Sequence, residues 1–358
     1  MKTNFLFKAV LIGMLALLLS VFLIKNQQGV TQFNHRLLLP NFDAYAVSSI
    51  SLQNNQGLGQ LEATKVEDNW QLASKFDYPA NKEKLSKLMQ GLKNAKIVEL
   101  KTQLEKNYAR LGVQPLSDST NAISGSSNNS INETEPTLLT LKSKSSTIKL
   151  IIGGKSKTTN GRYVRFVDEA QSYLTDLNLE LPKTGSDWLA PKLLSTSLSQ
   201  ISQVDITLQD DGFSLIRVSQ EPADSNSKTS EVGRAEALTS IDKASAEFIL
   251  MGDKTDEGKQ PKYASIFTGL VRNIINMSVK DVRSINTEID QMELELYQTI
   301  KLVYQEPHHE ISAQLLQVFV DEKHQQRYWI RVDKSKWLMA ISEFDVKQIS
   351  KPLSDYFE

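Results

Sequence analysis

Two spacings of apolar side chains alternate along this chain. Leu85, Leu88, Met89 and Leu92 fall at i, i+3, i+4 and i+7 and predict a helix over Asn81–Lys93. A wider apolar face follows Pro261, formed by Tyr263, Ile266, Phe267, Leu270, Val271, Ile274 and Ile275. Pro261 suits the first turn of that helix, where its missing N–H would have no partner anyway. Period-two runs predict strands elsewhere. Ile148–Ile152 leads into Gly153-Gly154, and Arg162–Val167 follows; Val204–Leu208 meets Asp210-Asp211-Gly212 and then Phe213–Val218. Asp-Gly between alternating runs predicts a hairpin turn, because that turn demands residues that tolerate positive φ. Gln317–Val320, Arg327–Val332 and Trp337–Ile341 predict a closing meander. Strands and helices do not alternate one for one, so the pattern predicts an α+β fold of mostly antiparallel strands rather than a doubly wound sheet.

The pattern also repeats. Arg162-Tyr163-Val164-Arg165-Phe166-Val167-Asp168 aligns without gaps on Arg327-Tyr328-Trp329-Ile330-Arg331-Val332-Asp333, and Ile50-Ser51-Leu52-Gln53-Asn54 matches Ile206-Thr207-Leu208-Gln209-Asp210. Each half closes on a short apolar helix, at Asp187-Trp188-Leu189 and at Leu353–Phe357. The expected organisation is a first α+β repeat over 29–197 and a second over 198–358, with the join near Leu193–Ser202. Ser117–Glu135, Glu221–Gly233 and Gly252–Lys262 are polar and of low complexity, and the sequence predicts loops there, the first a disordered insertion at 117–135.

Ahead of the repeats stands a run of another kind. Phe5, Leu6 and Phe7 lead past Lys8 to Ala9, Val10, Leu11, Ile12, Leu15, Leu17, Leu18, Leu19, Val21, Phe22, Leu23 and Ile24. As a helix this run would cover about 30 Å, the thickness of one hydrocarbon core. Bulky residues occupy the end where signal cleavage needs small ones, so the expectation is an uncleaved single-pass membrane anchor over 1–28. Lys2, Lys8 and the amino terminus favour a cytoplasmic N-terminus, which puts the C-terminal body outside the inner membrane of a bacterium, in the periplasm.

Composition narrows the chemistry. The 358 residues carry 41 Lys and Arg against 42 Asp and Glu, a net charge of -1 with no basic excess for a nucleic-acid partner. Zero Cys removes disulfides, thiolate metal sites and Cys nucleophiles, and 4 His thin the supply of acid–base groups. Gly153-Gly154-Lys155-Ser156 resembles the tail of a phosphate loop, but Lys149 stands where the leading Gly belongs, so a hairpin turn is the reading. His308-His309-Glu310 and His324 are metal-type residues whose adjacent His point to opposite faces of a strand. Asp210-Asp211 is explained by turn chemistry rather than by acid–base catalysis. No catalytic, cofactor-binding or metal residue is assigned, no cofactor is expected, and the chain reads as a non-enzyme.

Asp68-Asn69-Trp70-Gln71-Leu72, Tyr108-Ala109-Arg110-Leu111-Gly112-Val113, Leu150-Ile151-Ile152-Gly153, Gly161-Arg162-Tyr163-Val164-Arg165 and Ser186-Asp187-Trp188-Leu189 follow one another in an order that resembles the bacterial domain-of-unknown-function family 4340. The resemblance implies a membrane-anchored envelope protein, an accessory or scaffold working with ABC-type transporter components and, through its anchor, with the lipid bilayer. It brings no catalytic residues. Two alternatives remain open: an envelope hydrolase or glycan-binding module, and a substrate receptor for a transporter. A deep cleft with converging carboxylates would favour the hydrolase.

Overall fold

The computed structural model describes residues 36–54, 60–116, 135–209, 211–218, 248–252, 260–285, 292–308, 311–323 and 327–358. The chain divides into two units, Met1–Trp188 and Leu189–Glu358. In unit 1, strands β1 (Arg36–Leu37), β2 (Val47–Gln53), β3 (Gln60–Val66), β4 (Asn69–Leu72) and β5 (Tyr78–Pro79) precede helix α1 (Lys82–Asn94). Then come β6 (Lys96–Leu100), the one-turn helix α2 (Tyr108–Leu111), β7 (Thr137–Ser143), β8 (Thr147–Lys155), β9 (Arg162–Phe166) and β10 (Ser172–Thr175). Unit 2 runs β11 (Ile201–Leu208), β12 (Asp211–Arg217), β13 (Phe248–Leu250), α3 (Ile266–Ile275), β14 (Asp281–Ser284), β15 (Leu294–His308), β16 (Ile311–Asp321), β17 (Arg327–Val332), β18 (Trp337–Ile341) and α4 (Glu343–Ile349).

Each unit is built on one antiparallel sheet. The first is ordered β1-β6-β10-β9-β8-β7-β2-β3-β4-β5 and the second β13-β12-β11-β15-β16-β17-β18-β14. Read from β6 to β4 in the first sheet and from β14 to β13 in the second, the connectivity is the same strand for strand. The stretches that match in sequence occupy equivalent places: Ile50 lies in β2 and Ile206 in β11, and the Arg-Tyr stretches form β9 and β17.

Registered apolar pairs make the cores. In unit 1 Leu52 faces Leu61 on one side and Leu139 on the other, Leu139 faces Leu150, and Ile152 faces Val164, all buried. Asn81 caps α1 by accepting from the Lys84 backbone N–H at 3.1 Å, and the helix buries Leu85, Leu88, Met89 and Leu92. In unit 2 Val204, Ile206, Ile300, Leu302, Leu316, Val318 and Ile330 form the corresponding layer. There Gln298 is buried but bonded: its Nε2 donates to the Ile349 carbonyl at 2.9 Å, and its Oε1 accepts from the Ser350 hydroxyl at 2.6 Å.

Several expectations are corrected. Among the described residues no helix is long and apolar enough to cross a membrane. Thirteen residues in α1 and ten in α3 rise only about 20 and 15 Å, against about 30 Å of hydrocarbon. The expectation is corrected to an α+β fold with two antiparallel sheets and, among the described residues, no membrane-spanning helix. The run Phe5–Ile24 lies outside the described residues, as do all but Glu135 of the loop expected at 117–135, the loop expected at 221–233, and 253–259 of the one expected at 252–262.

The β11–β12 hairpin forms, but Leu208 pairs with Asp211 and Thr207 with Gly212. Asp211-Gly212 thus lies in β12, as the two residues past the turn, and Gln209 takes the positive φ of 52°. Pro261 lies before α3, in a bridge to Phe357, rather than in the first turn of the helix. Residues 189–194 join unit 2, where Leu193 N–H donates to the Met277 carbonyl and Val279 N–H to that of Pro191.

Candidate functional site

Three of the short motifs of unit 1, Tyr108–Val113, Leu150–Gly153 and Gly161–Arg165, come together in space. Gly153 and Gly154 are not a turn; they lie inside β8, and a Cβ on Gly153 would stand 2.3 Å from the Leu111 carbonyl oxygen and 2.9 Å from both the Gly112 oxygen and the Val113 side chain. Glycine is required because the 111–113 backbone lies directly on the strand. Beside it, Arg165 faces Ile151 across the ladder. Its guanidinium donates to the carbonyls of Val113 (2.9 Å), Phe166 (3.2 Å), Val167 (3.2 Å) and Glu169 (3.0 Å). It also lies 4.7 Å over the Tyr108 ring. The Tyr108 hydroxyl donates to the Ala170 carbonyl at 2.6 Å. Tyr108, Val113 and Ile151 form a small buried core there, flanked by Leu111, Leu138, Tyr163 and Val167.

Arg162 points differently. Its Nε donates to the Leu179 carbonyl at 2.8 Å and its Nη1 to that of Gly153 at 3.0 Å. A Cβ on Gly161 would lie 1.7 Å from the Thr175 carbonyl oxygen, so that position also admits only glycine. The Ser186-Asp187-Trp188 stretch closes the unit at the start of α1: the Trp188 carbonyl accepts from Asn81 N–H at 2.7 Å, and the Asp187 carbonyl accepts from Lys84 Nζ at 2.6 Å.

Between the exposed side of α1 and residues 176–188 lies an open cleft of about 1200 Å³, entirely within unit 1. Its cations are Lys84, Lys87, Lys155, Arg162 and Lys183, and its carboxylates are Glu135, Asp176, Glu180 and Asp187. Two of those carboxylates hold the backbone. Asp176 Oδ1 accepts from Lys96 N–H at 2.6 Å, and Asp187 Oδ2 accepts from the N–H groups of Lys183 (2.7 Å) and Thr184 (3.1 Å). One wall is the run Leu177–Pro182, in which Leu177, Leu179 and Pro182 are buried while Asn178 and Glu180 are exposed.

From Trp70 onward these motif residues sit inside the match to a family model described as Domain of unknown function (DUF4340), which covers residues 70–263, more than half of the chain. The chain belongs to this family. No curated protein and no solved structure gives a match. The DUF4340 match begins within β4 and ends before α3, so it takes in the motif cluster, the cleft lining except Asn54, and the first hairpin of unit 2.

Membership in DUF4340 names no activity. Without a membrane-spanning helix among the described residues, nothing supports a single-pass inner-membrane location with a periplasmic body. The same finding removes the basis for partners among ABC-type transporter components or the lipid bilayer. Nothing beyond family membership supports the envelope accessory, glycan-directed or transporter-receptor roles.

The residues considered for chemistry do not meet. Asp211 pairs in the β11–β12 ladder, while Asp210, His309, Glu310 and His324 lie outside the described residues. His308 ends β15. Among the described residues no group of three or more His, Asp or Glu is placed to hold a metal ion. What sequence reading missed was the use of the two arginines of β9. Their signal was present: Arg162 and Arg165 interrupt an otherwise apolar strand, and a guanidinium in such a place must find carbonyls when buried.

Proposed function

We propose that this DUF4340 chain is a non-enzymatic binding module that takes its ligand in the open cleft of unit 1. The observation that carries the reading is the direction of the buried polar side chains. Arg165 and Tyr108 aim their donors at backbone carbonyls of the same unit, and the two bonds given above for Arg162 also end on carbonyls. A reaction centre needs such groups turned toward a substrate. Here Arg162 braces the Leu179 wall of the cleft, Arg165 and Tyr108 hold carbonyls outside its lining, and the cleft is open and rimmed by long ionic side chains, a surface suited to recognition.

The test compares the full chain with a Lys87→Glu/Lys155→Glu double variant, each screened against immobilised short peptides, oligosaccharides and nucleotides. The reading expects one ligand class to be retained by the native chain, unchanged on recovery, and lost by the variant at an unaltered melting temperature. Equal retention by both proteins, or turnover of the ligand, would overturn it.

A further inference from the structure

We infer that the ligand of this cleft is an extended acidic peptide that adds as a strand along residues 177–181, an inference that rests on the binding-module reading above. The run continues from β10, whose ladder to β6 ends with Thr175 opposite Ile97 and is followed by Asp176 N–H donating to the Lys96 carbonyl. Beyond that point the side chains keep the alternation of a strand: Leu177 and Leu179 buried, Asn178 and Glu180 exposed. The backbone, however, has lost its neighbour. Leu177 N–H donates to the Thr175 hydroxyl and the Leu179 carbonyl accepts from Arg162 Nε. Among the described residues, the N–H and C=O groups of Asn178 and Glu180 have no hydrogen-bond partner.

In a strand, successive residues present their N–H and C=O groups to opposite edges. The bonds at Leu177 and Leu179 therefore take one edge, and Asn178 and Glu180 offer the other. Asn178 and Glu180 both line the cleft of about 1200 Å³, and the added strand would lie there at the usual spacing of about 4.8 Å. Charge selects the occupant. Lys87, Lys155 and Lys183 are exposed on the cleft lining and form no ion pair among the described residues, whereas Asp176 and Asp187 are turned into backbone amides. Glu135 and Glu180 also line the cleft, so a polycation gains little from it, and carboxylates placed at the lysines gain most.

The test uses the full chain with a short synthetic peptide of alternating Glu and Thr. Its comparators are the Lys–Thr counterpart, the Glu–Thr peptide N-methylated at alternate residues, and inorganic polyphosphate. Backbone amide exchange at Asn178 and Glu180 is the readout. The inference expects the Glu–Thr peptide alone to bind and to slow exchange there by about tenfold or more, and expects Lys155→Glu/Lys183→Glu to weaken binding by about tenfold. Equal binding of the N-methylated peptide, preference for polyphosphate, or binding with no protection at 177–181 would overturn it. If some other ligand class is held by the cleft and released by the lysine variants, strand addition fails while the binding-module reading stands. If the lysine variants alter the binding of no ligand, both fall.

Discussion

At the scale of the residue, the arginine and glycines of β8 and β9 are the positions least open to change. Arg165 is 5% exposed and holds four carbonyls together with the Tyr108 ring. Removing it strands those oxygens, so Arg165→Ala is expected to lower unfolding free energy by about 3–5 kcal/mol in urea titration, and Arg165→Lys to recover little because an ammonium lacks the fork. Gly153→Ala sets a methyl 2.3 Å from a carbonyl oxygen and is expected to cost about 3 kcal/mol or more. Gly269 is the contrast: it lies inside α3, and a Cβ there meets nothing within 4 Å. Gly269→Ala is expected to stabilise by about 0.5–1 kcal/mol, through helix propensity alone. Comparing the melting curves of the two alanine variants checks the assignment, since a general tolerance or intolerance of alanine would move both the same way. None of this distinction is legible in the letters. A glycine in a strand and a glycine in a helix read alike until the atoms facing each are known.

At the scale of the element, α1 shows how far local chemistry reaches. Its apolar spacing was visible in sequence; the Asn81 cap is shown by the structure, and Asn81→Ala is expected to destabilise unit 1 by about 1 kcal/mol by thermal unfolding. The strands were legible by alternation, but their turns were less so. Asp211-Gly212 reads as a turn, yet the pairing places it in β12, because keeping Ile206 opposite Phe213 buries both side chains. Tyrosines packed on these elements set the alkaline limit of the fold. Burial pushes Tyr78 from 10.0 up to about 12. Tyr173 is also raised to about 12, by burial first and then by its hydroxyl's hydrogen bond to Glu169. Burial raises Tyr356 as well, with Asp355 adding to the effect. A raised folded-state pKa means that the native state holds its proton longer than the unfolded chain. The contribution is therefore complete below pH 10 and is lost as pH rises toward about 12. Stability measured by denaturant is expected to fall across that window, with phenolate absorbance rising as the fold opens; early, non-cooperative titration of these phenols would contradict the burial.

At the scale of the whole molecule, the family match and the folding units do not coincide. Residues 70–263 omit β1 and the interior strands β2 and β3 of the first sheet, and leave β11–β13 without β15. That fragment is expected to be unfolded by circular dichroism, whereas 189–358, which retains a complete sheet, is expected to unfold cooperatively; the reverse result would refute the division at Trp188. The sequence alone determined the alternation of strands, the two amphipathic helices and the repeat, since each follows from the spacing of side chains along one local stretch. It also marked the DUF4340 motifs without saying why they stand together. Only the tertiary structure decided that Tyr108, Gly153 and Arg165 form one brace and that Asn178 and Glu180 border an open cleft. The reason is physical: which carbonyl an arginine meets, and which backbone edge is left uncovered, depend on segments distant in the chain that pack side by side.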